Sequence, residues 1–132
     1  MENKIKHLEL IQGVINRFST NSFLLKGWSV VLVSALFALS ANDSNICFIF
    51  LAYIPVIVFW GLDGYFLSME RLYRKLYEMV RLKDESDVDF SMNAKILNTK
   101  KHPWISATLS KTLIPFHGAL ICSISIVMLI QI

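Results

Sequence analysis

The sequence contains few of the residues that metal centres and enzymes need. It has only two cysteines among 132 residues, and both, Cys47 and Cys122, lie in apolar stretches. This excludes a disulfide framework and a zinc cluster with Cys-x-x-Cys spacing. Glycine-rich phosphate loops and the motifs Gly-x-Ser-x-Gly and His-Glu-x-x-His are absent, and the three histidines, His7, His102 and His117, are far apart. We therefore expect no catalytic site, no metal site and no cofactor.

Charged residues are also scarce, at 17%, whereas 55% of the residues are hydrophobic. This composition is too apolar for a soluble domain of this size. A small domain has too much surface for its volume to bury so many apolar side chains, and membrane lipid must cover the remainder. The net charge of +3 does not indicate a direct nucleic-acid partner, because the basic residues are distributed in a way that indicates membrane orientation.

Three apolar segments organise the chain, at residues 22–41, 46–66 and 112–132. About 20 helical residues span about 30 Å, the thickness of the hydrocarbon layer. The second segment stays uncharged only from Ile46 to Leu62, and its continuation as a helix supplies the missing length. The sequence therefore predicts an all-α membrane protein with three transmembrane helices in a single helical domain.

Basic residues are missing from residues 42–45 and from everything after Lys111. Short loops rich in lysine and arginine stay in the cytoplasm, so we expect the N-terminus on the cytoplasmic side of the membrane and the C-terminus on the opposite side. A signal peptide is the competing interpretation, since residues 38–40 resemble a cleavage site before Ala41. Cleavage there would deliver the basic region to the wrong side of the membrane.

Residues 3–18 form a predicted amphipathic helix ahead of the first transmembrane segment. Its apolar residues recur at spacings of three or four and share one face; they are Ile5, Leu8, Ile11, Ile15 and Phe18. Two interpretations remain open. The helix either lies along the inner membrane surface or packs against another part of its own protein.

The second transmembrane segment leads into an apolar stripe with heptad spacing. The stripe consists of Leu62, Phe66, Met69, Tyr73, Leu76 and Val80. We expect one helix from Ile46 to about Leu82, and a cytoplasmic helix and loop over residues 67–111. The stripe either packs on the N-terminal helix or forms a seam between subunits, and we favour the seam and hence a homo-oligomer.

Three polar residues within the apolar segments, Lys26, Asp63 and His117, fall at one depth. Each lies about 22 to 26 Å from the outer membrane face if the segments are helices. We call these residues the polar layer. Lys26 and Asp63 form a natural pair with His117 as a third member, and the layer would lock the helices together or close a pore. Alternatively, each residue reaches independently to the membrane surface.

Residues 60–77 follow the pattern W-G-L-D-x-Y-x-L-x-x-E-R-x-x-R-x-L-Y, after a basic N-terminal helix and an apolar crossing. With these features, residues 4–82 resemble the SLATT type of small bacterial membrane proteins from antiphage defence systems. The resemblance implies a location in the bacterial inner membrane, with the C-terminus in the periplasm. It also implies a pore-forming or membrane-disrupting effector that a soluble defence partner triggers. The alternative is a non-conducting anchor that recruits such a partner through the cytoplasmic helix. The third apolar segment departs from the two-span plan of that family.

Overall fold

The computed structural model describes residues 1–43 and 45–131, and all regular structure in these ranges is helical. The α-helices are α1 (Glu2–Asp43), α2 (Cys47–Arg81), α3 (Pro103–Thr108) and α4 (Ile114–Gln131). Helices α1, α2 and α4 are each long and apolar enough to cross a membrane. The predicted all-helical chain with three helices of this kind is confirmed. Ser44 in the predicted turn and Ile132 at the predicted end of the third segment lie outside the described residues.

Helix α1 differs from its sequence-based description. We predicted separate helices at residues 3–18 and 22–41, whereas the structure joins them in one helix of 42 residues. Residues 19–21 contain neither proline nor glycine, so nothing in them breaks the backbone hydrogen bonds of a helix. The N-terminal half of α1 packs on α2 of the same chain. This is the second of the two alternatives considered above for residues 3–18.

Helix boundaries follow local signals elsewhere. Helix α2 begins and ends within one residue of the predicted range of 46–82, and it continues past Pro55. Helix α4 begins at Ile114, two residues later than predicted. Pro115 is the second residue of α4, where a missing N–H costs nothing because the first turn has no intrahelical acceptor for it.

Helix α2 occupies the middle of the fold, with α1 packed along its length and α4 beside its N-terminal half. We call residues 22–43, 45–66 and 112–131 the apolar half, and residues 1–21 and 67–111 the charged half. The core of the apolar half consists of Val33, Ile49, Ala52, Val56 and Ile124. The core of the charged half consists of Ile11, Ile15, Leu72, Leu76, Val80 and Ala94.

Residues 82–111, which we predicted only as a loop, contain short helical elements and contact the helix pair. The segment forms two 3-10 turns, Glu85–Asp87 and Ala94–Leu97, and then α3. Its backbone is fastened to the helix pair, because the Tyr73 hydroxyl donates a hydrogen bond to the carbonyl oxygen of Met92 at 3.1 Å. The segment therefore covers the charged half instead of extending away from it.

Helix α3 docks closely on α2 at Gly64. A Cβ atom at position 64 would lie 2.9 Å from Cβ of Thr108 and would collide with the Thr108 hydroxyl. Two indole groups fix the contact. Trp104 Nε1 donates to the carbonyl oxygen of Gly61 at 2.7 Å, and Trp60 Nε1 donates to that of Thr108 at 2.8 Å. Gly61 and Gly64 flank Asp63 on α2, so α3 docks at the level of the polar layer.

Candidate functional site

The structure brings all three residues of the polar layer into contact. Lys26 from α1 donates a hydrogen bond from Nζ to Oδ2 of Asp63 on α2, at 2.6 Å. His117 from α4 lies with Nε2 at 2.8 Å from the same oxygen. Asp63 therefore connects the three helices that are long enough to cross a membrane. The arrangement is a direct network, not three separate side chains reaching for the surface.

Ser22 is a fourth member that the sequence analysis missed. Its hydroxyl donates to Oδ1 of Asp63 and accepts a hydrogen bond from Lys26 Nζ at 2.8 Å. Ser22 precedes Lys26 by four residues, and residues four apart lie on the same face of a helix. The spacing in the sequence could have predicted this contact. Ser22 and Lys26 lie on one face of α1, so both side chains can reach the same residue of a neighbouring helix.

Asp63 is completely buried, whereas the Lys26 side chain is 23% exposed. Removing a carboxylate and an ammonium group from water costs several kcal/mol for each ion unless geometry and additional hydrogen bonds compensate. Here the carboxylate accepts hydrogen bonds on both oxygens, from the hydroxyl, the ammonium group and the imidazole. The ion pair carries no net charge, so a neutral His117 leaves the layer neutral.

The hydrogen bond to Asp63 determines the proton position on His117. An ionised carboxylate only accepts hydrogen bonds, so Nε2 of His117 must carry the proton. Among the described residues, Nδ1 has no hydrogen-bond partner although it is buried. The ring stacks on Trp60 with 5.7 Å between centroids and 8° between planes. Because Trp60 is held by its bond to Thr108, the imidazole orientation is fixed from α2 as well as from α3.

Further polar contacts join the same helices nearer the other end of the apolar half. The hydroxyls of Tyr53 on α2 and Ser125 on α4 lie 2.8 Å apart. Ser40 on α1 donates to Oε1 of Gln131 on α4 at 3.0 Å. Each of the three long apolar helices is thus joined to another at two or more levels, which fixes the register of the bundle.

The structure places the predicted seam largely inside the chain. Leu76 and Val80 are buried in the core of the charged half, with Met69 and Tyr73 packed against it. Phe66 contacts Phe18 of α1, with 6.1 Å between ring centroids. Leu62 is 40% exposed. Five of the six stripe residues therefore pack within one subunit, mainly against α1, and only Leu62 is well exposed.

The layer offers an ion pair, a buried imidazole and a hydroxyl, and this set can hold helices together or carry a proton. In the described part of the chain, no three His, Cys, Asp or Glu side chains are grouped so that they could hold a metal ion. Comparisons with profiles of protein families, with characterised proteins and with solved structures find no match to this chain.

Proposed function

We propose that this protein inserts into the bacterial inner membrane and assembles into an oligomer that conducts ions or disrupts the membrane. The polar layer holds the assembly closed near its cytoplasmic end. The observation that supports this proposal is the buried Asp63 carboxylate, which side chains from both other spanning helices contact. Ionisable groups within membrane spans are costly, and they typically mark ion pathways, proton relays or gates.

The proposed orientation has the N-terminus in the cytoplasm and the C-terminus in the periplasm. Except for Lys26 in the polar layer, every lysine and arginine lies in residues 1–21 or 67–111. These two stretches pack together in the charged half. One side of the membrane therefore receives all the remaining basic residues, as the positive-inside rule requires.

The oligomer forms through the apolar half, since the stripe on α2 is mostly used within one chain. Small side chains are exposed on the outer faces of α1 and α4; they are Ser34, Ala38, Ala119, Cys122 and Ser123. Small residues let membrane helices approach closely, which promotes association by van der Waals packing. Leu62 on α2 is a further exposed apolar residue, next to Asp63 of the polar layer.

The role in antiviral defence rests on the resemblance of residues 4–82 to SLATT-type proteins. In that role a soluble defence partner acts on the charged half and changes the packing of α1 and α2. Lys26 and Asp63 lie on the same two helices, so a shift between these helices would separate the pair. Loss of that pair would open the cytoplasmic end of the assembly.

A second candidate is a non-conducting anchor that recruits a soluble partner through the charged half. The burial of Leu76 and Val80 by α1 of the same chain favours it, because the charged half is then a folded unit without further subunits. The polar layer would serve only to lock the helices, since its groups bind one another within one subunit.

Ion flux through liposomes separates the two candidates. The purified oligomer, reconstituted alone or with the partner, should release potassium or a small dye if it forms a pore. Liposomes that stay tight with and without the partner would support the anchor. Subunit number in nanodiscs provides a second measurement, because a pore needs a ring of subunits.

The role of the layer is tested by exchanging its charges. Lys26→Asp places two carboxylates together and should abolish assembly, measured by size in nanodiscs. The double exchange of Lys26→Asp with Asp63→Lys restores opposite charges and should restore assembly. Lys6→Asp, at an exposed position in the charged half, is the matched control and should assemble normally. Failure of the double exchange to rescue assembly would contradict the pairing.

A further inference from the structure

A basic cavity of about 230 Å³ lies between α2 and the segment that leads into α3. Four of its lining residues are cationic: Arg71, Arg74, Lys75 and Lys100. Arg74 is compensated by Glu70, whose carboxylate accepts its hydrogen bond at 3.0 Å. No acidic residue of the described chain lines the cavity itself. The residues around the cavity therefore carry an excess of positive charge, while most of the surface exposed inside it is apolar.

Hydroxyl groups accept hydrogen bonds from two of the lysines that line this cavity. Lys75 Nζ donates to the hydroxyl of Thr99 at 3.2 Å, and Lys100 Nζ donates to that of Ser106 at 3.3 Å. These bonds orient the lysines without cancelling their charge. Several cations around one concave site are the arrangement that binds phosphate oxygens.

An apolar groove of about 430 Å³ lies next along the same face of α2. Its walls are Gly61, the α3 residues Trp104, Ile105 and Thr108, and Leu109, which directly follows α3. Residues 61, 65, 68 and 72 recur at spacings of four and three, so they share one face of α2. Ser68 and Leu72 line the basic cavity, which places the two cavities in series along that face.

Aromatic side chains mark the boundary between the two cavities. Tyr65 and Trp104 meet edge to face with 6.2 Å between ring centroids, and both are exposed. Pro103 lines the basic cavity, whereas the next residue, Trp104, lines the apolar groove. Tyrosine and tryptophan prefer the interface between headgroups and hydrocarbon. Tyr65 and Trp104 therefore lie where such an interface is expected, between the basic cavity and the apolar groove.

In a membrane, the two cavities would lie at the depths of lipid acyl chains and lipid phosphate groups. Counted from Cys47 at the helical rise, Gly61 lies at about 21 Å, Ser68 at about 31 Å and Lys75 at about 42 Å. The hydrocarbon layer is about 30 Å thick and the headgroups add about 5 to 8 Å on each side. The groove therefore lies at the depth of acyl chains, and the basic cavity begins at the depth of lipid phosphates.

We infer that the two cavities together bind one anionic phospholipid. Arg71, Lys75 and Lys100 contact its phosphate group, and an acyl chain lies along α3 beside Trp104. The inference rests on the membrane insertion proposed above, but it does not require a pore. A bound lipid would brace α3 against α2 next to Gly64 and thereby stabilise the side of the bundle that holds His117.

Native mass spectrometry of the purified protein in neutral detergent tests this inference. Phosphatidylglycerol and phosphatidylcholine are added in separate titrations, and retained lipid is counted for each subunit. We expect one tightly retained phosphatidylglycerol per subunit, with at least about tenfold preference over phosphatidylcholine, because each cation near an anionic lipid contributes appreciably. Equal retention of the two lipids would contradict an anionic site.

Substitutions locate the binding to the cavity. The double variant Arg71→Gln with Lys75→Gln should lose about tenfold or more in retention of phosphatidylglycerol. Lys6→Gln with Lys101→Gln removes the same charge from exposed positions outside the cavity and should retain the lipid. Lys100→Gln provides a milder variant, with circular dichroism as the check on folding. Equal loss in the control would show general charge attraction and overturn the site.

Soluble phosphates distinguish a lipid from a free ligand. Glycerol 3-phosphate and inorganic phosphate share the phosphate group but cannot use the apolar groove, so neither should displace the lipid at equal concentration. Displacement by either would overturn the lipid as occupant. Retention in detergent is independent of ion flux, so a protein that fails to conduct can still retain the lipid, and the two proposals fail separately.

Discussion

The two halves of the α1–α2 pair bury their side chains in opposite ways. In the charged half, apolar residues such as Leu76 and Val80 are buried between the helices, while Arg74 and Lys75 are exposed. In the apolar half, large apolar side chains point outward, among them Ile54 at 60% exposure. A helix that lies in water must hide its apolar stripe, whereas a helix in lipid loses nothing by exposing one.

The halves also differ in what fixes the register of their helices. Lipid provides no hydrophobic drive for two helices to associate, so close packing and hydrogen bonds between them determine the arrangement. The apolar half accordingly contains the polar layer, the Tyr53–Ser125 contact and the Ser40–Gln131 contact. The charged half depends instead on a continuous apolar core. In the α1–α2 pair, hydrogen bonds and close packing fix the helix register in the apolar half, and a buried apolar core fixes it in the charged half.

The largest expected effect comes from breaking the polar layer. Asp63→Ala leaves the Lys26 ammonium group without its carboxylate in a largely apolar setting, and loss of one partner of a buried pair typically costs about 3–5 kcal/mol. Unfolding by a denaturing detergent, followed by circular dichroism, measures the free energy of unfolding. We expect a loss in that range.

The matched control is a carboxylate–cation pair at the surface of α2. Glu78→Ala removes the partner of Arg81, and the two side chains are 61% and 54% exposed. Solvent screens this i,i+3 pair, so the substitution should cost at most about 0.5 kcal/mol. Similar losses for Asp63→Ala and Glu78→Ala would mean that the layer contributes no more than a surface pair.

Truncating one leucine in each half compares the two cores directly. Leu76 is buried at 1% exposure, whereas Leu51 on the same helix is 47% exposed in the apolar half. Leu76→Ala should cost about 2–5 kcal/mol because it leaves a cavity. Leu51→Ala leaves no cavity, because lipid or detergent fills the space that the side chain occupied. It should change the free energy of unfolding by less than about 1 kcal/mol.

A pair of alanine substitutions on α2 tests the docking of α3. Gly64→Ala places a methyl group against Thr108, so α3 must shift, and overpacking of this kind costs about 1–3 kcal/mol. At Gly61, by contrast, an added Cβ has no neighbour within 4 Å among the described residues, and Gly61→Ala is the control. Fluorescence of Trp104 should report the displacement of α3 in the first variant only. An unchanged spectrum in Gly64→Ala would contradict the close contact.

The sequence predicted what depends on local composition and periodicity. Long apolar runs identify α2 and α4 because a helix that spans lipid must be apolar over a fixed length. Counting the rise per residue placed Lys26, Asp63 and His117 at one level, where the structure brings them together. Both inferences need only the geometry of a single helix, which is the same wherever the helix lies.

The sequence did not reveal contacts that join distant segments. The six residues of α3 carry no periodic pattern, and their docking depends on a glycine 39 residues from Pro103. The heptad stripe correctly marks a face that must be covered, but periodicity does not identify the partner. Here α1 supplies it, because residues 19–21 continue the helix and bring Ile11 and Ile15 against α2.

The smallest expected effect concerns the N-terminus of α1. The Glu85 carboxylate is bound by the Met1 ammonium group and by the backbone N–H groups of Asn3 and Lys4, at 2.8 and 3.1 Å from the latter two. These bonds, the ammonium contact first, hold the pKa of Glu85 below its ordinary value of 4.5, against a partial desolvation that raises it. A negative charge at a helix N-terminus also interacts favourably with the positive end of the helix dipole.

Because the folded protein lowers the pKa of Glu85, its stabilising effect is complete above pH 4.5 and is lost as the pH falls through the lower folded value. Glu85→Gln should therefore speed amide hydrogen exchange in the first turn of α1 at pH 7, and its difference from the unaltered protein should shrink progressively as the pH falls below 4.5. Asp87→Asn, in the same turn, should exchange like the unaltered protein throughout this pH range. A Glu85→Gln difference that stays constant as the pH falls would assign the effect to side-chain packing and not to the charge of the carboxylate.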